Sequence, residues 1–262
     1  MFSVCVLLYG SHADLARRVL LSLIQHANWK FIADVRIGLN ACGEETCTTV
    51  DLLGGTIKKL CPLITYTTDR NVGKYPLMRR MFYDTANPVA ENVMWFDDDS
   101  YLLGTNKYVF EVVSTYLSKN HISGGSTVVG ARYTMGLMGN QHLGINAQPW
   151  CMTPVNRHHV FTFPQGAWWA ARTSFLHEWN YPFPELHHTA GDRILGELLE
   201  QRGRHLVNYR QGIAINADDA GRESKAPRRG ESGKIEALWA DYRPGPPDLS
   251  HQKFDCEITR KA

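Results

Sequence analysis

The sequence predicts an α/β protein: an open, twisted, mostly parallel sheet flanked by helices, with a small antiparallel element in its second half. Three observations predict it. Short runs rich in β-branched residues and leucine alternate with segments of helical period through the first hundred residues. The runs Val4 to Tyr9 and Val93 to Phe96 are apolar, as in buried strands of such a sheet. One of them, Val93-Met94-Trp95-Phe96, ends abruptly in Asp97-Asp98-Asp99. That puts acid at the carboxyl end of a strand, where open α/β sheets bind ligands.

The elements follow in order. Val4 to Tyr9 is the first strand, broken by Gly10 and Ser11. Leu15, Ala16, Val19, Leu20, Leu23 and Ile24 recur at helical spacing and carry a helix to about Asn28. Ile32 to Leu39 is the second strand and Asn40 to Glu45 its loop. Asp51 to Lys59 reads as a short helix that Gly54-Gly55 weakens. Leu63 to Thr67 is the third strand. A loop from Asp69 to Lys74 leads into a helix with Leu77, Met81, Phe82 and Ala86, which Asn87-Pro88 ends. Beyond the acidic strand end, Asn106 to Leu117 is helical. The glycine-rich middle, with Gly124-Gly125, Gly130 and Gly136 to Gly144, is expected to form hairpins and loops. Phe161 to Phe175 is rich in aromatic and small residues; Thr189 caps a helix running to about Gly203, and Ile213 to Asn216 is the last strand. Residues 1–217 are expected to form one domain, with halves at 1–104 and 105–217. Residues 218–262 carry Arg222, Lys225, Arg228, Arg229 and Lys234 among Gly, Pro and Ser. They are expected to form a basic mobile loop and a C-terminal segment that docks back through Trp239, Tyr242 and Phe254.

Composition narrows the function. The 262 residues hold 28 Lys plus Arg against 26 Asp plus Glu, which gives no global nucleic-acid signal. Six cysteines at irregular spacing read as reduced thiols. The chain enters a strand at once, without a basic leader, and no apolar run is long enough to span a bilayer. The expected location is cytoplasmic. Neither Gly-x-Gly-x-x-Gly nor a Gly-x-x-x-x-Gly-Lys-Ser/Thr element is present, which disfavours a dehydrogenase or an ATPase.

Four stretches carry candidate chemistry. Three adjacent carboxylates repel one another, and a divalent cation is the usual reason to tolerate them; a solvated acidic turn is the competing account. Arg70, Lys74, Arg79 and Arg80 place positive charge around the loop and helix after the third strand, where an anion could be received; an ordinary charged helix face is the alternative. Gln165-Gly166-Ala167-Trp168-Trp169 joins small residues to flat apolar walls, a composition that suits a sugar and equally suits a core strand. Asp192 falls in the first turn of its helix, either complementing the dipole or serving as a general base. His158-His159 fits a pair of side chains facing opposite ways better than a pair of metal ligands.

In this order and spacing, from Ser3 to Gly203, the chain resembles a GT-A-type nucleotide-sugar glycosyltransferase. It is most similar to the large inverting, metal-dependent family of the polysaccharide synthases. The likeness rests on Val4 to Ile24, on Asn71-Val72-Gly73 with Arg79-Arg80, on Phe96-Asp97-Asp98-Asp99, and on Gln165-Gly166-Ala167-Trp168 with Gly191-Asp192-Arg193. The resemblance implies roles. Tyr9, Gly10 and Ser11 would frame the base, with Asn40 standing where the family has an aspartate. Arg70, Lys74 and Arg80 would surround the nucleotide. Asp97 would meet the ribose or the metal, Asp98 would support the loop, and Asp99 would ligate Mn²⁺ or Mg²⁺. Gln165, Gly166 and Trp168 would lie at the sugar. Asp192 would take the acceptor's proton, and His251, or else His205, would be a third metal ligand.

The donor implied is UDP-glucose or a related nucleotide sugar, and the acceptor a glycan, a small molecule or a hydroxymethylated base in DNA. Transferases of the last kind occur in viruses of bacteria. The sequence departs from the family pattern at Gly191, where an acid is usual, and lacks Gln-x-x-Arg-Trp and membrane helices, which points to a soluble enzyme adding one or a few sugars. A sugar-1-phosphate nucleotidyltransferase and a non-catalytic carbohydrate-binding protein are the competing classes.

Overall fold

The structure, a computed structural model, describes residues 1–118, 126–137, 140–147, 151–184, 186 and 191–215. The basic 222–234 run, His251 and the helix cap expected at Thr189 lie outside the described residues. The elements are β1 (Phe2–Tyr9), α1 (Ala13–His26), β2 (Ile32–Asn40), α2 (Glu44–Ile57), β3 (Leu63–Thr68), α3 (Lys74–Phe82), β4 (Asn92–Asp97), β5 (Tyr101–Leu102) and α4 (Val109–Ser118). They continue as β6 (Ser126–Gly136), α5 (Gln141–Asn146), β7 (Val160–Arg172), α6 (Thr173–Glu178), α7 (Gly191–Gln201), β8 (His205–Asn208) and β9 (Ile213–Ala214).

Among the described residues the main sheet runs β3-β2-β1-β4-β7-β6-β8, and β5 pairs with β9 in a small antiparallel sheet. β7 alone is antiparallel to its neighbours β4 and β6. This is the mostly parallel, helix-flanked sheet that the sequence predicts. The chain steps outward from β1 to β2 to β3, then returns to place β4 on the other side of β1. That reversal opens a crevice at the carboxyl ends of β1 and β4. The register puts Tyr9 beside Asn40, Asn40 beside Thr68 and Leu7 beside Asp97, so the loops after β1, β2, β3 and β4 all reach the same rim.

Each face of the sheet has its own core. Trp95, Trp169, Tyr75, Phe82, Tyr181 and Leu195 pack on one side, and Val4, Leu20, Phe96, Trp168 and Phe110 on the other. Strand alternation sends adjacent Trp168 and Trp169 to opposite faces. Trp169 stacks on Trp95, ring centroids 6.4 Å apart, while Trp168 meets Tyr209 edge-on at 6.2 Å. Behind α3, Arg79 donates to the carbonyls of Asn180 and Pro182 at 3.1 and 2.6 Å. Buried Arg36 pairs with Asp34 and caps the carbonyls of Met81, Asn87 and Pro88. Among the described residues no helix is long and apolar enough to cross a membrane.

Two expectations change. The helix after β2 starts seven residues earlier than predicted, at Glu44, and Gly54 within it is a packing residue: a Cβ there would stand 3.0 Å from Leu63. The glycine-rich middle contains a full central strand, β6, where hairpins and loops were expected. Gly130 lies against β7, where a Cβ would come within 3.2 Å of Trp169, and a register shift between Gly130 and Arg132 accommodates Pro164 opposite.

Glu197 is a buried acid in the helix that carries Asp192. It is 1% exposed on α7, with His159 Nε2 3.8 Å from its carboxylate. Burial, and then the Glu200 carboxylate, push it up to about 8 from an ordinary value of 4.5. The native state therefore holds a proton that the unfolded chain has lost between those two values. Its contribution to stability is full below 4.5, declines as pH rises, and is gone above about 8. Glu197→Gln is expected to remove this decline, matching the parent near pH 4 and exceeding it by up to about 5 kcal/mol at pH 9. Urea unfolding at the two pH values checks this.

Candidate active site

The site forms at the rim of the crevice from four elements. Trp95 and Asp97 are two residues apart on β4 and so share a face. The Trp95 indole Nε1–H donates to Asp97 Oδ1 at 2.9 Å. From the first turn of α3, Lys74 Nζ donates to Asp97 Oδ2 and to the Gly166 carbonyl, each at 2.7 Å. Asp192, in the first turn of α7, closes the arrangement. A Cβ on Gly166 would lie 3.4 Å from Lys74 Nζ and 3.6 Å from Asp192 Oδ2. Gly166 is therefore the gap through which the ammonium and the second carboxylate converge. Lys74 is thus paired with Asp97, and the Asp192 carboxylate, 95 residues further along the chain, approaches the same glycine.

Tyr75 fixes the start of α7. The Asp192 N–H donates to the Tyr75 hydroxyl at 3.2 Å. Gly191, where the resemblance expects an acid, abuts the Tyr75 ring so closely that a Cβ would stand 2.3 Å from Cζ. Tyr75 thus fills the space an acidic side chain would need. Burial raises the phenols of Tyr75 and Tyr181 well above their ordinary value. Asp192 and Asp97 push both in the same direction, so both hydroxyls stay protonated beside the carboxylates. Neither tyrosine was legible as a site residue, since each reads in sequence as ordinary core. Gly191→Ala is expected to cost about 2 kcal/mol through overpacking. The loss should shrink in a Tyr75→Ala background, as a double-mutant unfolding cycle would show.

On the other side of the crevice the loops after β1 and β2 are stitched together. Gly10, with φ of 62°, accepts from Gly43 N–H and from the Thr46 hydroxyl through its carbonyl, at 3.2 and 3.0 Å. Ser11 lies against Gly43, and Tyr9 stands exposed at the strand end. Asn40 is buried and turns into the loop before α3. Its amide donates to Asn71 Oδ1 at 2.9 Å, and its oxygen accepts from Val72 N–H at 3.0 Å and from Thr68. Asn40 is thereby the post that holds the 71–73 loop. Asp98 lies on this side, buried. Burial above all, then Cys47, pushes the nearby Cys42 thiol up to about 12, and the Asp98 carboxylate adds to the effect.

Several predicted site residues sit elsewhere than expected. α3 has only nine residues, so Arg80 falls in its last turn. It is 8% exposed and about 9 Å along the axis from the turn where an anion would be received. Trp168 is fully buried in the core, covered by helices, and offers no wall to a sugar. His205 begins β8 one residue before Leu206, which is level with Val93 at the far end of β4. That is about 17 Å along the strands from Asp97, too far to ligate a shared ion. His158 is exposed and bonded to Arg157, while His159 faces α7, so the two do not form a pair. Arg70 is exposed on the loop before α3, and Gln165 is half-buried on β7 next to Gly166.

The donor set fits a divalent cation. Among the described residues no three His, Cys, Asp or Glu side chains could hold a metal ion by themselves. Asp98 and Asp99 are consecutive, buried carboxylates. Each Asp97 oxygen keeps a lone pair beyond its present bond. Magnesium-like ions take one or two carboxylates and complete their shell with phosphate oxygens and water, and the carboxylates of this rim could serve one.

Comparison with solved structures decides the fold. The Staphylococcus aureus TarS 1–349 fragment superposes with a TM-score of 0.51 at 16% identity, over 81% of this chain and 59% of that one. A mannosyltransferase from Pyrobaculum calidifontis, solved with GDP-Man and Mn²⁺, gives 0.53 at 15% identity, over 80% and 55%. GalNAc-T7, solved with UDP, GalNAc and Mn²⁺, gives 0.52 at 11% identity, over 82% and 42%. The fold is that of the GT-A glycosyltransferases. The chain spans a little over half the length of the first two of these structures and less of the third. No family model and no curated protein matches the sequence. In this GT-A fold the rim of β1 and β4, with Asp97 to Asp99 and Asp192, occupies the crevice at the strand-order reversal.

Proposed function

We propose that this chain is an inverting glycosyltransferase that moves a hexose from a UDP-sugar to an acceptor hydroxyl. The observation that carries the reading is the meeting of Asp97 and Asp192 across Lys74 at Gly166, on the rim of a GT-A sheet. The solved neighbours that hold UDP or GDP-Man with Mn²⁺ support a nucleotide-sugar donor and a divalent ion.

Tyr9, Gly10 and Ser11 frame the base, and the 71–73 loop held by Asn40 stands next to it. Asp99, with Asp98 and Asp97 beside it, would hold Mn²⁺ or Mg²⁺; a bound cation supplies positive charge against the diphosphate leaving group. Lys74 holds Asp97 in place and is the protein's own positive charge at the reaction centre. Asp192 lies across Gly166 from Lys74, on the acceptor side. It accepts the proton of the attacking hydroxyl as that oxygen bonds to the anomeric carbon and the bond to diphosphate breaks. One displacement inverts the anomeric centre. The acceptor is a glycan or another hydroxyl compound. The DNA-base reading drew on the 222–234 basic run, and no observation among the described residues favours it.

The test uses the full chain with UDP-glucose, UDP-N-acetylgalactosamine and GDP-mannose, each with Mn²⁺ or with EDTA. A UDP-sugar at 100-fold its Kd should stabilise the fold by about 2.7 kcal/mol with Mn²⁺ present and release UDP slowly by hydrolysis. Absence of both effects for all three donors contradicts the reading.

A further inference from the structure

A second cavity lies away from the rim. It has a volume of about 500 Å³ and opens between the carboxyl end of α1, the 27–30 turn and the start of α4. α1 begins at the Ser11 loop and spans 14 residues, so the cavity is about 20 Å from the nucleotide side. The segment after Asp99 runs to it along α1: Arg18 lies over the Tyr101 ring at 4.9 Å, Ser22 accepts from Leu102 N–H, and His26 lies against Gly104.

Its lining is unusual for a surface hollow. Trp29 and Tyr108 supply aromatic surface, and Tyr108 is 55% exposed. His26, Lys30 and Lys107 supply donors. Glu111 supplies a carboxylate whose Oε1 accepts from the Asn28 amide, while Oε2 is buried with no hydrogen-bond partner among the described residues. An acceptor oxygen shielded from bulk water is costly unless a donor reaches it. The missing group is therefore a donor, and with Lys30 and Lys107 already lining the cavity a hydroxyl fills the role without adding charge. A phosphate or carboxylate would meet Glu111 with like charge. Hydroxyls presented with a flat C–H face, flanked by aromatic rings, are the signature of a pyranose.

We propose that this cavity binds a neutral hexose oligosaccharide, as a subsite for the part of the acceptor remote from the transferred sugar. The acceptor role rests on the glycosyltransferase reading; the binding does not. Maltoheptaose, cellohexaose and chitohexaose serve as probes, with the Trp29 indole ¹H–¹⁵N signal as the readout. At least one should shift that signal with a millimolar or tighter Kd. Tyr108→Ala and Glu111→Gln should each weaken binding about tenfold while keeping the parent Tm, and Asp192→Asn should leave binding unchanged. No shift with any probe, or binding insensitive to both cavity variants, overturns the inference. Preferential binding of inorganic phosphate in the cavity also overturns it. Oligosaccharide binding in a protein that cleaves no nucleotide sugar would leave the subsite standing and remove the transferase reading.

Discussion

Asp192→Asn is expected to bind the donor as the parent does and to transfer sugar about 10³-fold more slowly. The substitution is nearly isosteric, and the contact that orients the start of α7, from the residue's own N–H to Tyr75, belongs to the backbone and survives. What disappears is a carboxylate able to accept a proton on the acceptor side of Gly166. Isothermal titration with UDP-sugar and Mn²⁺ reads the binding, and product formation reads the transfer. Parent-like transfer by the variant would remove Asp192 from its role as base. Loss of donor binding would place it among the donor contacts instead.

Lys74→Met is expected to damage both the fold and the chemistry. The ammonium is buried and makes two bonds of 2.7 Å, one to a carboxylate and one to a carbonyl. Removing it leaves Asp97 with the Trp95 indole alone among its side-chain partners and leaves the Gly166 carbonyl without its donor. Breaking one side of such a pair costs about 3–5 kcal/mol because the remaining charge is uncompensated. Unfolding in urea measures that loss. Turnover should fall more than about a hundredfold even where the variant is folded, because the site loses the positive charge paired with Asp97. In the Asp97→Asn background the same change should cost less, since no uncompensated carboxylate remains. Equal losses in the two backgrounds would mean that Lys74 acts through packing and not through Asp97.

The parts of this molecule that could be read from sequence are those governed by local pattern. β1 and β4 are apolar almost throughout, β2 and β3 are rich in β-branched residues, and α1 and α7 keep helical period, so their places and the acidic strand end followed directly. β6 escaped because its glycine is set by the bulk of Trp169 on the neighbouring strand, which no local pattern reveals. Arg79 and Arg80 looked like anion ligands because they follow the loop closely in sequence; both are buried beyond the first turn of α3, where Arg79 turns instead to the Asn180 and Pro182 carbonyls. Trp168 looked available to a sugar because composition does not say which strands are covered. Lys74 and Asp192 were legible as charges near loop ends. Their convergence on Gly166, and the filling of the Gly191 space by Tyr75, depend on register between β4, β7 and α7 and had no sequence signal.

The anomeric configuration of the sugar in the transfer product, read by ¹H NMR, tests the central claim most directly. An α-linked UDP-sugar should yield a β-linked product, as single displacement assisted by Asp192 requires. An α-linked product would contradict the account, since retention cannot arise from one in-line attack with Asp192 on the acceptor side.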